Sequence, residues 1–295
     1  MGSQETIRRD NLKAVLHHLR WGGPVTQRGL ADKTGLQPST VSNLVRLLRD
    51  TGYVEVAGRT NPGPTGGKPG VQLQPRAGAG HYLGILLRRE QVVTSVVDYA
   101  GHAHSFSSQT LNVRSGDELI ETITGIVRFH LSVTSHASGR LFGVGIAVSS
   151  VVTAEGAIVP SADFPFSIPD LPSRLSRLQT DVVVENDANA TALYSLQQLA
   201  PTTDTLLSLV YSEHPVSVGA GMIIHGQLYR GAAGAAGELI APTVEGKSIQ
   251  NQDVLATVVR FLDPDTVVLV TDAAPDAPDR PASERHITPG PSLAR

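Results

Sequence analysis

The chain has 295 residues, of which 40% are hydrophobic, and a formal net charge of −3. This composition is typical of a globular protein with enough apolar surface for one to three domains. The chain contains no cysteine, which excludes disulfide bonds and thiolate zinc sites. No apolar run reaches the ~18 residues of a membrane-spanning helix, and the polar segment MGSQETIRRDNLK does not resemble a secretory signal. We therefore expect a cytoplasmic protein with no membrane partner.

The small net charge conceals an uneven distribution along the chain. Residues 1–76 hold 11 Lys+Arg and 5 Asp+Glu, a net of +6, whereas the remainder holds 13 and 22, a net of −9. A basic segment on an acidic body indicates that the basic part meets a polyanion. Chance clustering of charges is the alternative.

A first helix is predicted within residues 6–23, TIRRDNLKAVLHHLRWGG. Gly22-Gly23-Pro24 ends it. Apolar residues recur at helical spacing along this segment, namely Ile7, Leu12, Val15, Leu16 and Leu19.

Two short helices follow in VTQRGLADKTGLQPSTVSNLVRLLRDTGYVEV. Thr26 is a suitable N-cap for the first, Gly35 allows the tight turn that ends it, and Pro38 fits the first turn of the second. Helices joined at a glycine in this way predict a helix-turn-helix. The buried face of the second helix is predicted to consist of Val41, Leu44, Val45 and Leu48.

The outward face of the second helix carries hydroxyls, an amide and a guanidinium, which suit a helix that enters the major groove. Hydroxyls and an amide can reach base edges, and an arginine can bind a guanine or a phosphate. A three-helix bundle with a polar face is the alternative. The DNA-contact residues predicted in this motif are Thr26, Gln27, Ser39, Thr40, Ser42, Asn43 and Arg46.

A wing is predicted after this motif, because two short strands, YVEVAG and GVQL, flank the segment RTNPGPTGGKP. Arg59 and Lys68 would lie at its tip, where basic side chains can contact phosphates or the minor groove. A flexible linker is the alternative. We therefore predict a winged helix-turn-helix over residues 1–74, followed by an interdomain linker, PRAGAG, over residues 75–80.

Residues 81–270 change to an α/β pattern. Strand-like HYLGILL, QVVTSVVDYAG, LFGVGIAVSSVV and DVVVE alternate with helix-like GDELIETITGIVRFHLSV, LPSRLSRLQ and ANATALYSLQQL, and two more strand-like runs, DTLLSLVY and VGAGMIIHGQLY, follow. Such alternation predicts a sheet with helices packed on it.

The segment VVVENDANATAL, residues 182–193, raises a specific question of function. Its apolar run ends in Glu185-Asn186-Asp187 and then becomes helix-like. Asp187 can be a catalytic base, a ligand clamp or a helix cap, and the pattern alone leaves these three readings open.

Taken in order, VVVENDANATALYS and VGAGMIIHGQLYRGAAGAAGEL resemble the ROK family of sugar kinases and sugar-responsive repressors. GGPVTQRGLADKTGLQPSTVSNLVRLL, with its Gly-Gly-Lys-Pro wing, is similar to the DNA-binding domain of ROK repressors, and FLDPDTVVLV resembles a late strand of the family. The resemblance implies an actin-like, ribonuclease H-like sugar-kinase fold behind the winged helix, in a homodimer or homotetramer.

The chain also departs from the family pattern. The Asp-x-Gly-Gly-Thr phosphate loop of the kinases is replaced by GILLRREQ, with Leu86 in place of the Asp and Arg88-Arg89 in place of the glycines. The second phosphate turn, which normally contains Pro-Gly, reads AVSSVV. Leucine cannot help to position magnesium, and two long side chains would fill the turn, so ATP transfer is not expected.

The family's zinc site is also missing from the sequence. Ala241 stands where the family has a histidine, and there is no cysteine. We interpret the histidines of HAH, residues 102–104, and HH, residues 17–18, as surface residues. No metal, cofactor or catalytic residue is therefore predicted.

The resemblance implies that Asn186, Asp187 and Glu238 contact sugar hydroxyls. Because the chain lacks a phosphoryl donor site, Asp187 is interpreted as a ligand clamp or its remnant, with a helix cap as the alternative. The Pro-, Asp- and Ala-rich residues 271–295 are predicted to be a disordered tail, which would leave the second lobe incomplete.

The favoured hypothesis is a DNA-binding transcriptional repressor of carbohydrate-related genes. It would bind a palindromic operator in double-stranded DNA and respond to a sugar or phosphosugar. The alternatives are a constitutive DNA-binding protein with a dimerisation-only body and a sugar kinase with an unusual phosphate loop.

Overall fold

The computed structural model describes residues 2–61, 69–134, 139–161, 163–199, 203–213, 216–239, 243–244, 247–248, 251–271 and 284–287. The chain forms two compact units. One comprises Met1–Leu83, Thr94–Ser107 and Arg128–Gly143, and the other comprises Gly84–Val93, Ser108–Val127 and Val144–Arg295.

The first unit begins with a winged helix-turn-helix. Its elements are α1 (Gly2–Trp21), β1 (Val25–Thr26), α2 (Gln27–Thr34), α3 (Pro38–Asp50), β2 (Val54–Arg59) and β3 (Val71–Pro75). The three strands form an antiparallel sheet in the order β1-β3-β2. Thr26 is the N-cap of α2, and Pro38 stands in the first turn of α3, as predicted.

Gly35 ends α2 in the left-handed conformation, with φ of 68°, and its N–H donates to the carbonyl of Ala31. Glycine adopts this conformation without the steric cost that a Cβ imposes. The predicted helix-turn-helix is therefore confirmed.

The core of the winged helix gathers one face of each helix. The four predicted residues of α3 are all buried, at 6% exposure or less. Ile7 differs, because it is 57% exposed and the contribution of α1 to the core begins at Leu12. The buried residues of this core are Val15, Leu19, Val25, Leu30, Val41, Leu44, Val45, Leu48, Val54 and Leu73.

A five-stranded sheet follows. Its strands are β4 (Gly80–Arg88), β5 (Gln91–Asp98), β6 (Ala103–Thr110), β7 (Arg140–Val148) and β8 (Asp181–Asn186), in the order β6-β5-β4-β7-β8. Helix α4 (Gly116–Thr134) lies between β6 and β7 in the chain, and α5 (Leu171–Leu175) precedes β8. The segment predicted as a linker holds a 3-10 turn, Ala77–Ala79, before β4 begins.

The boundary between the two units passes through β4, β5, β6, α4 and β7, because each of these elements contributes residues to both units. The sequence-based division into residues 1–74 and 81–270 follows a different line, drawn from composition and motifs. The domain boundaries at residues 74 and 81 therefore stay a prediction.

The second sheet completes the α/β fold. Its strands are β9 (Leu206–Glu213), β10 (Val216–Ile224), β11 (Gln227–Tyr229), β12 (Glu238–Leu239), β15 (Thr266–Thr271) and β16 (Glu284–Ile287). The helices of this part of the chain are α6 (Asp187–Gln198) and α7 (Asn251–Leu262). The strand order is β11-β10-β9-β15-β16, and β12 pairs with β10. Strand β15 is parallel to β9, whereas the other pairs are antiparallel. A small hairpin joins β13 (Thr243–Val244) to β14 (Lys247–Ser248).

Alternate residues of this sheet enter two different cores, as the two-residue period of a strand requires. Leu206 and Ile223 pack with leucines of α6, whereas Leu207 and Leu209 pack with Val258 and its neighbours on α7. The sheet is therefore covered by helices on both faces. This arrangement confirms the predicted α/β class of sugar-kinase type.

The segment predicted as a disordered tail, residues 271–295, includes Thr271 at the end of β15 and the strand at residues 284–287. These residues form β16, in which Ile287 pairs with Val267 and Glu284 pairs with Val270. The edge of β15 presents unpaired backbone donors and acceptors, and β16 satisfies them. Composition predicts how much apolar surface a segment can bury, but it does not reveal backbone pairing with a distant strand.

None of the helices in the described residues combines the length and the hydropathy that crossing a bilayer requires.

Candidate nucleic-acid interface and ligand site

Helix α3 presents the side chains that the sequence assigned to base contacts. Ser39, Ser42, Asn43 and Arg46 are exposed, whereas Thr40 is half-buried. Arg46 Nη2 donates to Asn43 Oδ1 at 3.1 Å, and this bond holds the guanidinium against the helix surface. The exposed polar side chains of α3 therefore share one surface of the helix, which is the predicted recognition face.

A groove of about 540 Å³ runs beside this face. Gln27 of α2, Ser42, Arg46 and Arg49 of α3, and Glu55 of β2 help to line it. Arg49 was not among the predicted contacts, although its position three residues after Arg46 places both arginines on neighbouring turns of one helical face. The groove brings together Gln27, Ser42 and Arg46, three of the residues predicted to contact DNA.

Thr26 has a structural task in addition to its predicted one. Its hydroxyl oxygen accepts a hydrogen bond from the N–H of Gly29 at 3.0 Å, and the residue is half-buried. Because that oxygen caps α2, the hydroxyl hydrogen and one remaining lone pair are left for a phosphate or a base.

The base of the wing is closed by two hydrogen bonds. Thr60 N–H donates to the Gly70 carbonyl, and Gly70 N–H donates to Thr60 Oγ1, both at 2.8 Å. Arg59 lies beside this closure and is exposed. Lys68 lies outside the described residues.

The N-terminus of α6 answers part of the question that Asn186 and Asp187 raised. Asn186 Oδ1 accepts from the N–H groups of Ala188 and Asn189, at 2.9 and 3.1 Å, and Asn186 Nδ2 donates to the Ser150 carbonyl at 3.1 Å. Asn186 is therefore the helix cap, and one amide N–H is left for a ligand.

Asp187 and Glu238 form an acidic pair. Asp187 is half-buried, and its Oδ1 accepts from the N–H of Ala188 at 2.8 Å. Burial raises the pKa of Asp187, the Arg88 guanidinium opposes that shift, and the charge of Asp163 adds to it. Although Glu238 as a residue is exposed, desolvation of its carboxyl group and the charge of Asp187 raise the pKa of Glu238. Two carboxylates in mutual electrostatic range can accept hydrogen bonds from ligand hydroxyls.

Glycines place Glu238 in this pair. Gly237 has a φ of 91°, and a Cβ there would overlap the Ala220 carbonyl oxygen. The Ala220 N–H donates to the Gly237 carbonyl at 2.8 Å, and Glu238 then pairs with Gly219 of β10. The chain can approach β10 this closely only because Gly237 lacks a side chain. Ala241 lies outside the described residues.

Glu185 is a buried residue of this region that was not among the predicted site residues. Its carboxylate bonds to Asn186, Asn189 and Arg230, which belong to two different segments. A sequence offers no signal for such a contact, because Glu185 and Arg230 are 45 positions apart.

The histidines of HAH lie on the surface, as predicted. His102 and His104 are exposed, and they share hydrogen bonds with the buried Asp98 carboxylate at 3.2 and 2.7 Å. In the part of the chain that the structure describes, no group of three or more His, Asp or Glu side chains has an arrangement that could hold a metal ion.

The fold defines a class of protein in which a winged helix-turn-helix precedes an actin-like α/β body of sugar-kinase type. Comparison with known families agrees with both parts. The ROK family model matches residues 82–240, which is more than half of the chain, and the MarR family model matches residues 13–63. The chain belongs to the ROK family.

Curated relatives that match this chain are repressors. The xylose repressor of Staphylococcus xylosus is 26% identical over 250 residues, which cover 83% of this chain and 63% of that protein. The DNA-binding transcriptional repressor Mlc of Escherichia coli is 23% identical over 230 residues, which cover 77% of this chain and 56% of Mlc. The chain thus spans less than two thirds of the length of these relatives.

A solved structure shares the fold. It is a ROK family transcriptional regulator described as a homologue of the E. coli Mlc protein, with a TM-score of 0.65 and 18% identity. The similarity covers 88% of this chain and 69% of that chain.

Proposed function

We propose that this protein is a DNA-binding transcriptional repressor of carbohydrate-related genes, and that a sugar bound to its ROK domain changes its affinity for DNA. The observation that carries the proposal is the exposed face of α3. Ser42, Asn43 and Arg46 share that face, and the winged helix that holds them is joined in one chain to a ROK domain.

The first effector to test is D-xylose, because several relatives are named xylose repressors. Asp187 and Glu238 would accept hydrogen bonds from sugar hydroxyls, and the free N–H of Asn186 would donate one. A phosphosugar is the second effector class to test.

The protein is proposed to lack kinase activity. Arg88 ends β4, where the family's kinases have phosphate-loop glycines, and it is close enough to Asp187 to influence the pKa of that carboxyl group. An arginine there occupies space that a nucleotide phosphate loop needs. Sugar-dependent ATP consumption that is lost in Asp187→Asn would contradict this part of the proposal.

The proposed partner is a palindromic operator in double-stranded DNA, which a homodimer or homotetramer would bind in the cytoplasm. Two-fold symmetry of a repressor matches two-fold symmetry of its half-sites, and a sugar that shifts the dimer between arrangements changes that match.

The test is capture of sheared genomic DNA on the purified protein, with and without a pool of sugars and phosphosugars. We expect a palindromic site to be enriched, and its retention to change when the pool is present. Absence of any enriched site would overturn the DNA-binding proposal.

A second candidate function is constitutive DNA binding with a body that serves only for dimerisation. The capping role of Asn186 favours it, because both acceptor positions of that amide are already used. Retention of a specific site, together with calorimetry that detects no binding from the same pool, would support this candidate over the sugar-responsive repressor.

A further inference from the structure

The carboxylate of Glu185, near the end of β8, accepts four hydrogen bonds. Oε1 accepts from the backbone N–H of Asn186 and from Asn189 Nδ2, both at 3.0 Å. Oε2 accepts from Arg230 Nε at 2.9 Å and from Arg230 Nη2 at 2.6 Å. A carboxylate has about four lone-pair sites, so Glu185 has none left for a ligand.

The bonds of Glu185 join the two segments that carry the acidic pair. Asn186 is the N-cap of α6, and Asn189 lies in its first turn, which also holds Asp187. Arg230 directly follows β11 and begins the glycine-rich turn that ends at Glu238. Glu185 therefore lies at the junction of both ligand-site segments.

Arg230 holds the glycine-rich turn by its backbone as well. Its carbonyl accepts from the N–H of Ala236 at 3.1 Å, and the Glu238 N–H donates to Ala235 at 3.3 Å. The guanidinium thus fixes one end of a turn whose other end places Glu238 on β10. A shift of Arg230 would be passed to Glu238 through these bonds.

We propose that Glu185 and Arg230 are a positioning pair, which sets the separation of the Asp187 and Glu238 carboxylates without contacting the ligand. This inference rests on the proposed sugar site for its functional consequence. The pair is suited to the task because the Glu185 side chain is 9% exposed and receives two charge-assisted bonds from one guanidinium. Such bonds fix direction as well as distance, unlike those of a mobile surface pair.

The experiment compares four variants of the full chain with the wild type. Glu185→Gln places an amide NH₂ against existing donors, and Arg230→Gln removes the guanidinium. The double variant leaves neither charge buried alone. Arg174→Gln is the matched control, because its 2.6 Å ion pair with Asp117 lies in the same unit but is exposed.

Three quantities are measured for each variant. They are amide hydrogen exchange at Ala236, the melting temperature, and the affinities for D-xylose and D-glucose by calorimetry. Both single variants are expected to accelerate exchange at Ala236 and to weaken sugar binding by about tenfold or more. The control, Arg174→Gln, is expected to match the wild type in exchange at Ala236 and in sugar affinity.

The double variant separates positioning from stability. It is expected to recover much of the melting temperature lost in the single variants, because no buried charge is left unpaired, but not to recover sugar affinity. If affinity returns together with the melting temperature, the pair is only structural and the inference fails.

The two proposals fail in different ways. Wild-type exchange at Ala236 in both single variants would overturn the positioning pair, whatever the sugar data show. A wild-type protein that binds neither sugar nor any phosphosugar would overturn the sugar-site proposal and, with it, the functional role assigned to the pair.

Discussion

Asp187 is half-buried within electrostatic range of Glu238, and this placement is expected to give it opposite effects on stability and on the proposed sugar binding. Burial raises the pKa of Asp187 above its ordinary value of 3.8. Between the ordinary pKa of the unfolded chain and the raised pKa of the folded protein, the folded protein binds more protons than the unfolded chain. The free energy of unfolding therefore falls as pH rises through that window. The carboxylate is thus expected to destabilise the fold at neutral pH while it serves a ligand.

Asp187→Asn is expected to raise the melting temperature relative to the wild type, and by more at pH 7 than at pH 4. The same variant is expected to lose sugar affinity, because the amide accepts fewer hydroxyl hydrogen bonds than a carboxylate does. Thermal unfolding at both pH values and calorimetry would measure the two effects. Asp181→Asn, an exposed carboxylate at the start of β8, is the control and should change neither.

Arg46 is one of two exposed arginines of α3, with Arg49, that line the groove beside the predicted recognition face. Arg46→Ala is expected to weaken binding to the specific site by about 1–3 kcal/mol, because one bidentate or phosphate contact is lost. Fluorescence anisotropy with the captured operator would measure the change. Arg177→Ala, an exposed arginine in the other unit, is the control, and equal affinities for both variants would remove Arg46 from the set of DNA contacts.

At the scale of elements, the turn between α2 and α3 depends on backbone conformation alone. A Cβ added to Gly35 would meet nothing within 4 Å, so the cost of Gly35→Ala comes from its φ of 68°. We expect a loss of about 1–2 kcal/mol in the free energy of unfolding. Urea unfolding would measure it, with Gly78→Ala as control, because Gly78 also has open space but no positive φ. Equal stabilities of the two variants would contradict the explanation.

Elements that carry local signals could be predicted from the sequence. The cap at Thr26, the turn at Gly35 and the apolar spacing of α3 each act within a few residues, and all three are observed. Strand β6 could not be predicted, because all eight of its residues are exposed and the strand has no buried face to create a pattern. Helix α7 was missed despite its apolar face, which packs Val258, Val259 and Leu262 against the second sheet.

Only part of the candidate ligand site could be predicted from the sequence. The resemblance supplied Asn186, Asp187 and Glu238, but the capping role of Asn186 depends on the exact direction in which α6 leaves β8. The bond between Glu185 and Arg230 depends on how distant segments meet. A sequence without an alignment does not contain that information.

At the scale of the whole molecule, the uneven charge is expected to govern the approach to the proposed DNA partner. The basic winged helix attracts phosphates while the acidic remainder is repelled, which orients the encounter. Affinity is expected to fall linearly with the logarithm of salt concentration.

Arg59→Ala is expected to weaken binding equally for specific and random DNA and to reduce the magnitude of the salt slope by about 1, because it removes one phosphate contact. Titrations at several salt concentrations on both DNAs would measure this. Loss confined to the specific sequence would instead assign Arg59 to base recognition.

Strand β16 has a consequence for the handling of the protein. The strand that it covers, β15, reads TVVLVT, which has no charge and no proline to discourage pairing with another molecule. A chain ended at residue 271 would expose that edge, so we expect such a truncation to aggregate in a concentration-dependent manner by light scattering, whereas a chain ended at residue 288 should not. Residues 284–287 would then prevent self-association of the protein through β15. A protease that removed these residues would leave an aggregation-prone protein.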